Sequence, residues 1–135
     1  MSSEATLVAT FVDLLRSGET PWGEVGIVQE FFYARGKTDV VITTDNSTIA
    51  IEAKLIDWRK ALDQAYRNTC FAEESYILMP EPKANFALKF MNEFEVRGVG
   101  ICCIVGGQIK ILFTPNPSPP LEPWITAQAR SLASV

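Results

Sequence analysis

A chain of 135 residues that is 47% hydrophobic and 21% charged is one domain, large enough for a real core. Its net charge of −4 argues mildly against tight nonspecific binding to nucleic acid, which depends on neutralising phosphates. It contains no histidine, which excludes Ser-His-Asp and Cys-His nucleophile systems, His-ligated zinc and histidine general bases, so any hydrolysis must run on carboxylates, lysine and a hard metal.

No apolar run approaches the roughly 18 residues that span a bilayer, so no membrane association is expected. Met1-Ser2-Ser3-Glu4-Ala5 lacks a basic segment, so no secretory signal is expected. Three cysteines are too few for a disulfide framework, and the adjacent Cys102 and Cys103 read as core thiols of a reducing, cytoplasmic protein.

Glu4 to Arg16 places Leu7, Val8, Phe11, Val12, Leu14 and Leu15 at helical spacing, and Ser17-Gly18 ends the pattern. Val25 to Tyr33, Lys37 to Thr44 and Thr48 to Leu55 read as strands, separated by turns at Ala34-Arg35-Gly36 and Asp45-Asn46. Asp57 is the expected N-cap of a helix whose inward stripe is Trp58, Ala61, Leu62, Ala65 and Thr69. A short strand over Tyr76 to Met79 stops at Pro80. A helix follows over Ala84 to Phe94, then a hairpin of Val99–Val105 and Gln108–Phe113 turning at Gly106-Gly107. Thr114 to Pro123 holds five of the eight prolines and reads as a connector to a terminal helix over Trp124 to Ala133. Residues 1–113 thus form the main α/β body, and 114–135 a Pro-rich connector and helix packed on the same domain. The three tryptophans read as packing residues, and Glu73-Glu74 as a solvated loop pair.

The most informative stretch is Ile51-Glu52-Ala53-Lys54-Leu55. Residues i and i+2 of a strand share a face, so Glu52 and Lys54 are expected together, in a run otherwise apolar. Glu and Lys are rarely buried unless paired, so the pair needs an explanation. If Asp45-Asn46 is a two-residue loop, Thr44 pairs with Ser47 and counting back sets Asp39 opposite Glu52. Two carboxylates that close repel unless a cation lies between them, and Mg²⁺ takes one or two carboxylates with waters and phosphate oxygens. Lys54 would point at the same spot. A three-residue loop would instead put Asp39 opposite Ala53.

Asp39 followed by Glu52-Ala53-Lys54 on the next strand resembles the core of the PD-(D/E)xK nuclease superfamily, over about Val25 to Pro80. The residue before Asp39 is Thr38 where that motif carries proline. The resemblance implies a restriction-endonuclease-like mixed central sheet flanked by helices, an α-β-β-β-α-β core to which the last hairpin is added. It also implies a glutamine on the next helix, where Gln64 falls. Some members add an upstream acid, for which Glu30 and Asp13 are both candidates. Lys60, Gln64 and Arg67 lie on one helical face, and with Arg35 and Lys37 they form a basic cluster suited to phosphate.

The expected activity is that of a Mg²⁺-dependent endonuclease, with Mn²⁺ substituting, that cleaves DNA phosphodiesters by metal-activated water. Asp39 and Glu52 (with Glu30 as a further candidate) would bind the metal, Lys54 would position the water and stabilise charge, and Gln64 would orient the site or touch phosphate. A homodimer would supply one active site per strand. The competing expectation is a catalytically silent protein on this scaffold that binds nucleic acid or a regulatory partner.

Overall fold

The computed structural model describes residues 3–133. Met1 and Ser2 of the N-terminal segment, on which the expectation of no secretory signal falls, and positions 134–135 of the C-terminal region lie outside it. The elements are α1 (Glu4–Arg16), β1 (Gly26–Tyr33), β2 (Gly36–Thr43), β3 (Thr48–Ala53), α2 (Trp58–Asn68) and β4 (Glu74–Leu78). They continue with α3 (Glu81–Leu88), α4 (Met91–Arg97), β5 (Val99–Val105), β6 (Gln108–Phe113) and α5 (Pro123–Leu132). The six strands make one mixed sheet in chain order. β1, β2 and β3 form an antiparallel meander, β4 and β5 follow in parallel, and β6 returns antiparallel to β5. The parallel steps need crossovers, supplied by α2 and by the α3–α4 pair.

Helices cover both faces. α1 starts at Ser3, whose hydroxyl accepts the Thr6 N–H, and buries Leu7, Phe11, Val12 and Leu15. These meet Val40, Ile42, Ile49, Ile51, Tyr76 and Leu78 from the sheet, and each such side chain contributes about 1.5–3 kcal/mol by burial. On the other face, α2, α3 and α4 cover Ile77, Ile101 and Cys103. α5 covers Val28, Val41 and Ala50 beside them.

α5 also ties down two turns. Arg130 donates to the Ser47 and Thr44 carbonyls of the β2–β3 hairpin at 2.9 and 2.6 Å, and Glu122, its N-cap residue, pairs with Arg35 in the β1–β2 turn at 3.0 Å.

Several expectations need correction. The helix expected over Ala84 to Phe94 is broken at Lys89-Phe90, where Phe90 leaves helical geometry (φ −108°, ψ 26°) and stacks on Trp58 at 4.7 Å. Trp124 is 67% exposed instead of packed. Glu73 is not a free loop carboxylate, since it accepts the Thr48 N–H at 2.7 Å and ties the loop before β4 to the start of β3. The inward stripe of α2 ends in Asn68, fully buried, and Thr69 is only half-buried. The β5–β6 hairpin extends the sheet.

Candidate active site

The β2–β3 hairpin has the expected two-residue register. Thr44 N–H donates to the Ser47 carbonyl, and Val40 lies opposite Ile51. Counting on by one sets Asp39 against Glu52, where the backbone pairing stops. The β1–β2 ladder also skips Asp39, running from Gln29↔Val40 to Phe31↔Thr38. Across from it, Glu30 has φ +53°, a left-handed conformation unfavourable for a residue with a Cβ. The strands part at this point, and the Asp39 side chain replaces the missing ladder bond: its Oδ2 accepts the Ala53 N–H at 2.8 Å.

Glu52 projects under α2 and is 2% exposed. Its Oε2 accepts from Asn68 Nδ2 at 2.7 Å and from Arg67 Nη2 at 3.3 Å. Asn68 in turn accepts from the Tyr33 hydroxyl at 2.7 Å and the Thr38 hydroxyl at 2.8 Å through its Oδ1. Burial pushes the Glu52 carboxyl up to about 7, and the neighbouring Asp39 carboxylate adds to the rise, against the Asn68 hydrogen bond and the Arg67 charge.

On the α1 side of the sheet, Glu4, Val8, Gln29, Glu30, Lys37 and Asp39 line a cleft of about 330 Å³. Lys37 Nζ lies 3.4 Å from Asp39 Oδ1 and 3.5 Å from Glu30 Oε1.

The register sets Asp39 opposite Glu52 and their carboxyl groups interact, although Asp39 opens to the α1-side cleft while Glu52 is held by α2; Lys37 joins Glu30 to Asp39. Lys54 departs from expectation. It follows the last residue of β3, so strand alternation no longer directs it. Its ammonium is drawn to Glu4 at the start of α1, 3.8 Å away, whereas Glu52 is held by α2 on the opposite face. Among the described residues no ion pair links Lys54 to Asp39 or Glu52.

Gln64 is half-buried on α2 and makes no side-chain hydrogen bond among the described residues. Asp13 is exposed, about 13 Å along α1 from Glu4, which is the α1 acid beside the cleft.

Arg67 is not free for phosphate. Besides Glu52 it bonds the carbonyls of Arg35 and Lys37, and Gly36 makes room for it: a Cβ there would lie 2.6 Å from Arg67 Nη1. Arg35 is held by Glu122, and Lys60 has no ion pair among the described residues.

Asn68 and Glu4 escaped the sequence reading. Asn68 follows a basic residue at a helix end, where asparagine usually reads as a cap, and Glu4 reads as a partner for the helix dipole. The i+4 spacing of Asn68 from Gln64, on the face that meets the Glu52 strand, is the signal that singles it out.

Among the described residues, no group of three His, Cys, Asp or Glu side chains could hold a metal ion. Two adjacent carboxylates, with Asp39 raising the cost of the Glu52 charge, do fit an ion that completes its shell with water, as Mg²⁺ does.

No family model and no curated protein sequence matches the chain. Among solved structures, it is similar to the SPO1766 protein of unknown function from Silicibacter pomeroyi, with a TM-score of 0.60 and 18% identity. That match covers 96% of this chain and 83% of the other. The likeness shows a shared fold. A more distant match is SfsA from Pyrococcus furiosus, solved in complex with Ca²⁺, with a TM-score of 0.43 and 11% identity. It covers 85% of this chain and 63% of SfsA. Among the described residues, no helix is long and apolar enough to cross a membrane.

Proposed function

We propose that the protein is a divalent-metal-dependent nuclease with a restriction-endonuclease-like core, hydrolysing phosphodiester bonds in DNA. The observation that carries this reading is the meeting of the Asp39 and Glu52 carboxylates where β2 and β3 part, with Glu52 raised to about 7. A buried carboxyl perturbed in this way at a break in a sheet is the kind of arrangement enzymes maintain at a cost in stability.

Asp39 and Glu52 would hold Mg²⁺ or Mn²⁺. The bound ion would supply the Lewis acidity for attack of water on phosphorus. Asn68 and Arg67 hold one oxygen of Glu52 and so fix the orientation of the carboxylate. Lys54, held by Glu4 at the rim, would offer positive charge to the phosphate as negative charge builds up in the transition state. Gln64 and Lys60 on α2 would contact the substrate backbone. Glu30 stands outside this pair of ligands, joined to Asp39 through the Lys37 ammonium. Two active sites, as in a homodimer, would serve the two strands of a duplex.

The second reading, a silent nuclease scaffold acting as a binding or regulatory module, is favoured by one observation. Of the six basic side chains Arg35, Lys37, Lys54, Arg59, Lys60 and Arg67, which lie around the motif in the sequence, all but Lys60 are already ion-paired with acids. That leaves little free positive charge for phosphate.

The deciding experiment incubates supercoiled plasmid and single-stranded DNA with the protein, Mg²⁺ or Mn²⁺, and with the Asp39→Asn and Lys54→Ala variants. Nicking that needs the metal and falls at least a hundredfold in Asp39→Asn, the loss of a metal ligand at the reacting centre, is the expected result. No cleavage, or equal cleavage by Asp39→Asn, would overturn the nuclease reading in favour of the silent scaffold.

A further inference from the structure

The Lys37 ammonium occupies an unusual place. It stands between the carboxylates of Asp39 and Glu30, at 3.4 and 3.5 Å, beside the cleft that runs under the start of α1. Two features show that the position is built. Among the described residues, Glu30 is the one non-glycine residue with positive φ. This backbone twist falls where the β1–β2 ladder skips a pair, and Glu30 there shares the Lys37 ammonium with Asp39. The base of the lysine is also fixed, because its carbonyl accepts from Arg67 Nη2 at 2.7 Å. The tip is not fixed. Its side chain is 40% exposed, and both ion-pair distances are longer than those of a close charge-assisted hydrogen bond. A monovalent cation on a flexible four-carbon stem thus neutralises Asp39, its backbone anchored and its head free to leave.

We infer that Lys37 is the resident counter-ion of the Asp39 site, holding the place of a divalent cation and yielding it when one binds. The inference rests on the metal-site reading above and adds a role for a residue outside the nuclease motif. Lys37 and a divalent ion cannot both neutralise Asp39 at close range, because like charges at a few ångströms repel strongly in a partly buried site. When the ammonium is displaced, the length of the stem leaves it at the mouth of the cleft, where an incoming phosphate would meet it. Lys37 would therefore weaken metal binding in the substrate-free protein and favour substrate binding once the ion is in place. An ion pair of this looseness also selects for charge: a divalent ion displaces the ammonium more readily than Na⁺ or K⁺ can.

The test measures Mn²⁺ affinity directly, with no substrate, by electron paramagnetic resonance of the free ion at fixed pH and ionic strength. The full-length protein is compared with Lys37→Met and Lys37→Arg, and circular dichroism checks that each is folded. Lys37→Met should bind Mn²⁺ about tenfold more tightly than the parent, the effect of removing one partly screened like charge a few ångströms away. Lys37→Arg keeps the charge and should stay within about twofold. A merely structural role for Lys37 would give weaker or unchanged binding in Lys37→Met, never tighter. If the parent binds Mn²⁺ and Lys37→Met binds it equally or less well, the counter-ion role is wrong while the metal site stands. If neither protein binds Mn²⁺ at millimolar concentration, the metal-site reading falls, and this inference with it.

Discussion

Replacing Glu52 by glutamine should make the protein more stable at alkaline pH, although it removes a candidate ligand. The Glu52 carboxyl is raised from an ordinary 4.5 to about 7, chiefly by burial and further by the Asp39 carboxylate. A raised carboxyl means that the native state holds its proton more tightly than the unfolded chain does. Stability from this group is therefore fully present below about pH 4.5, falls as pH rises towards 7, and is lost above that. Each pKa unit corresponds to about 1.4 kcal/mol, so the ionised, buried Glu52 costs about 3 kcal/mol at pH 8. Glutamine has no such titration. Its carbonyl can still accept from Asn68 and Arg67, and its amide can donate towards Asp39. Urea unfolding followed by tryptophan fluorescence should find Glu52→Gln about 2–3 kcal/mol more stable than the parent at pH 8, with the gap nearly closed at pH 4.5. The pH dependence of the difference reports Glu52 together with its coupling to the adjacent Asp39 carboxylate. A gap that does not change with pH, or a Glu52→Gln protein less stable at pH 8, would refute the reasoning.

Asn68→Ala should destabilise the protein by about 3 kcal/mol or more in guanidinium unfolding. It leaves the buried Glu52 carboxylate with Arg67 alone and removes the acceptor of the Tyr33 hydroxyl and of the fully buried Thr38 hydroxyl; a loss under 1 kcal/mol would mean that water replaces the amide. Arg130→Ala should cost about 1–2 kcal/mol and speed amide exchange at Thr44, because the guanidinium clamps the carbonyls of the hairpin turn from α5. Exchange unchanged at Thr44 would show that the turn holds its register without α5.

Much of this architecture was legible in the sequence because local patterns and tertiary packing agree. The α1 stripe, the β5–β6 hairpin at Gly106-Gly107 and the Asp57 cap all lie where periodicity and turn chemistry put them. So does the register of the β2–β3 hairpin, because a two-residue loop leaves only one pairing. The geometry beyond that ladder was not legible. Strand alternation puts Lys54 on the face of Glu52 only if the strand continues past Ala53, where it ends, and beyond that point contact with α1 decides the direction of Lys54. The twist at Glu30 has no sequence signal, since glutamate is not a residue that prefers positive φ. The helical stripe misleads at Arg67 and is silent on Asn68 for a related reason: it shows which residues share a face, and says nothing of what that face meets. Here it meets the carbonyls of the β1–β2 turn and a buried carboxylate.

The central claim is that Asp39 and Glu52 form one divalent-cation site. Crystals of the protein soaked in Mn²⁺ and measured at the manganese absorption edge test it most directly. The account predicts an anomalous peak within coordinating distance of both carboxylates, with the Lys37 ammonium moved off Asp39. A map without manganese at these carboxylates, or with the ion bound elsewhere and Lys37 still on Asp39, would contradict it.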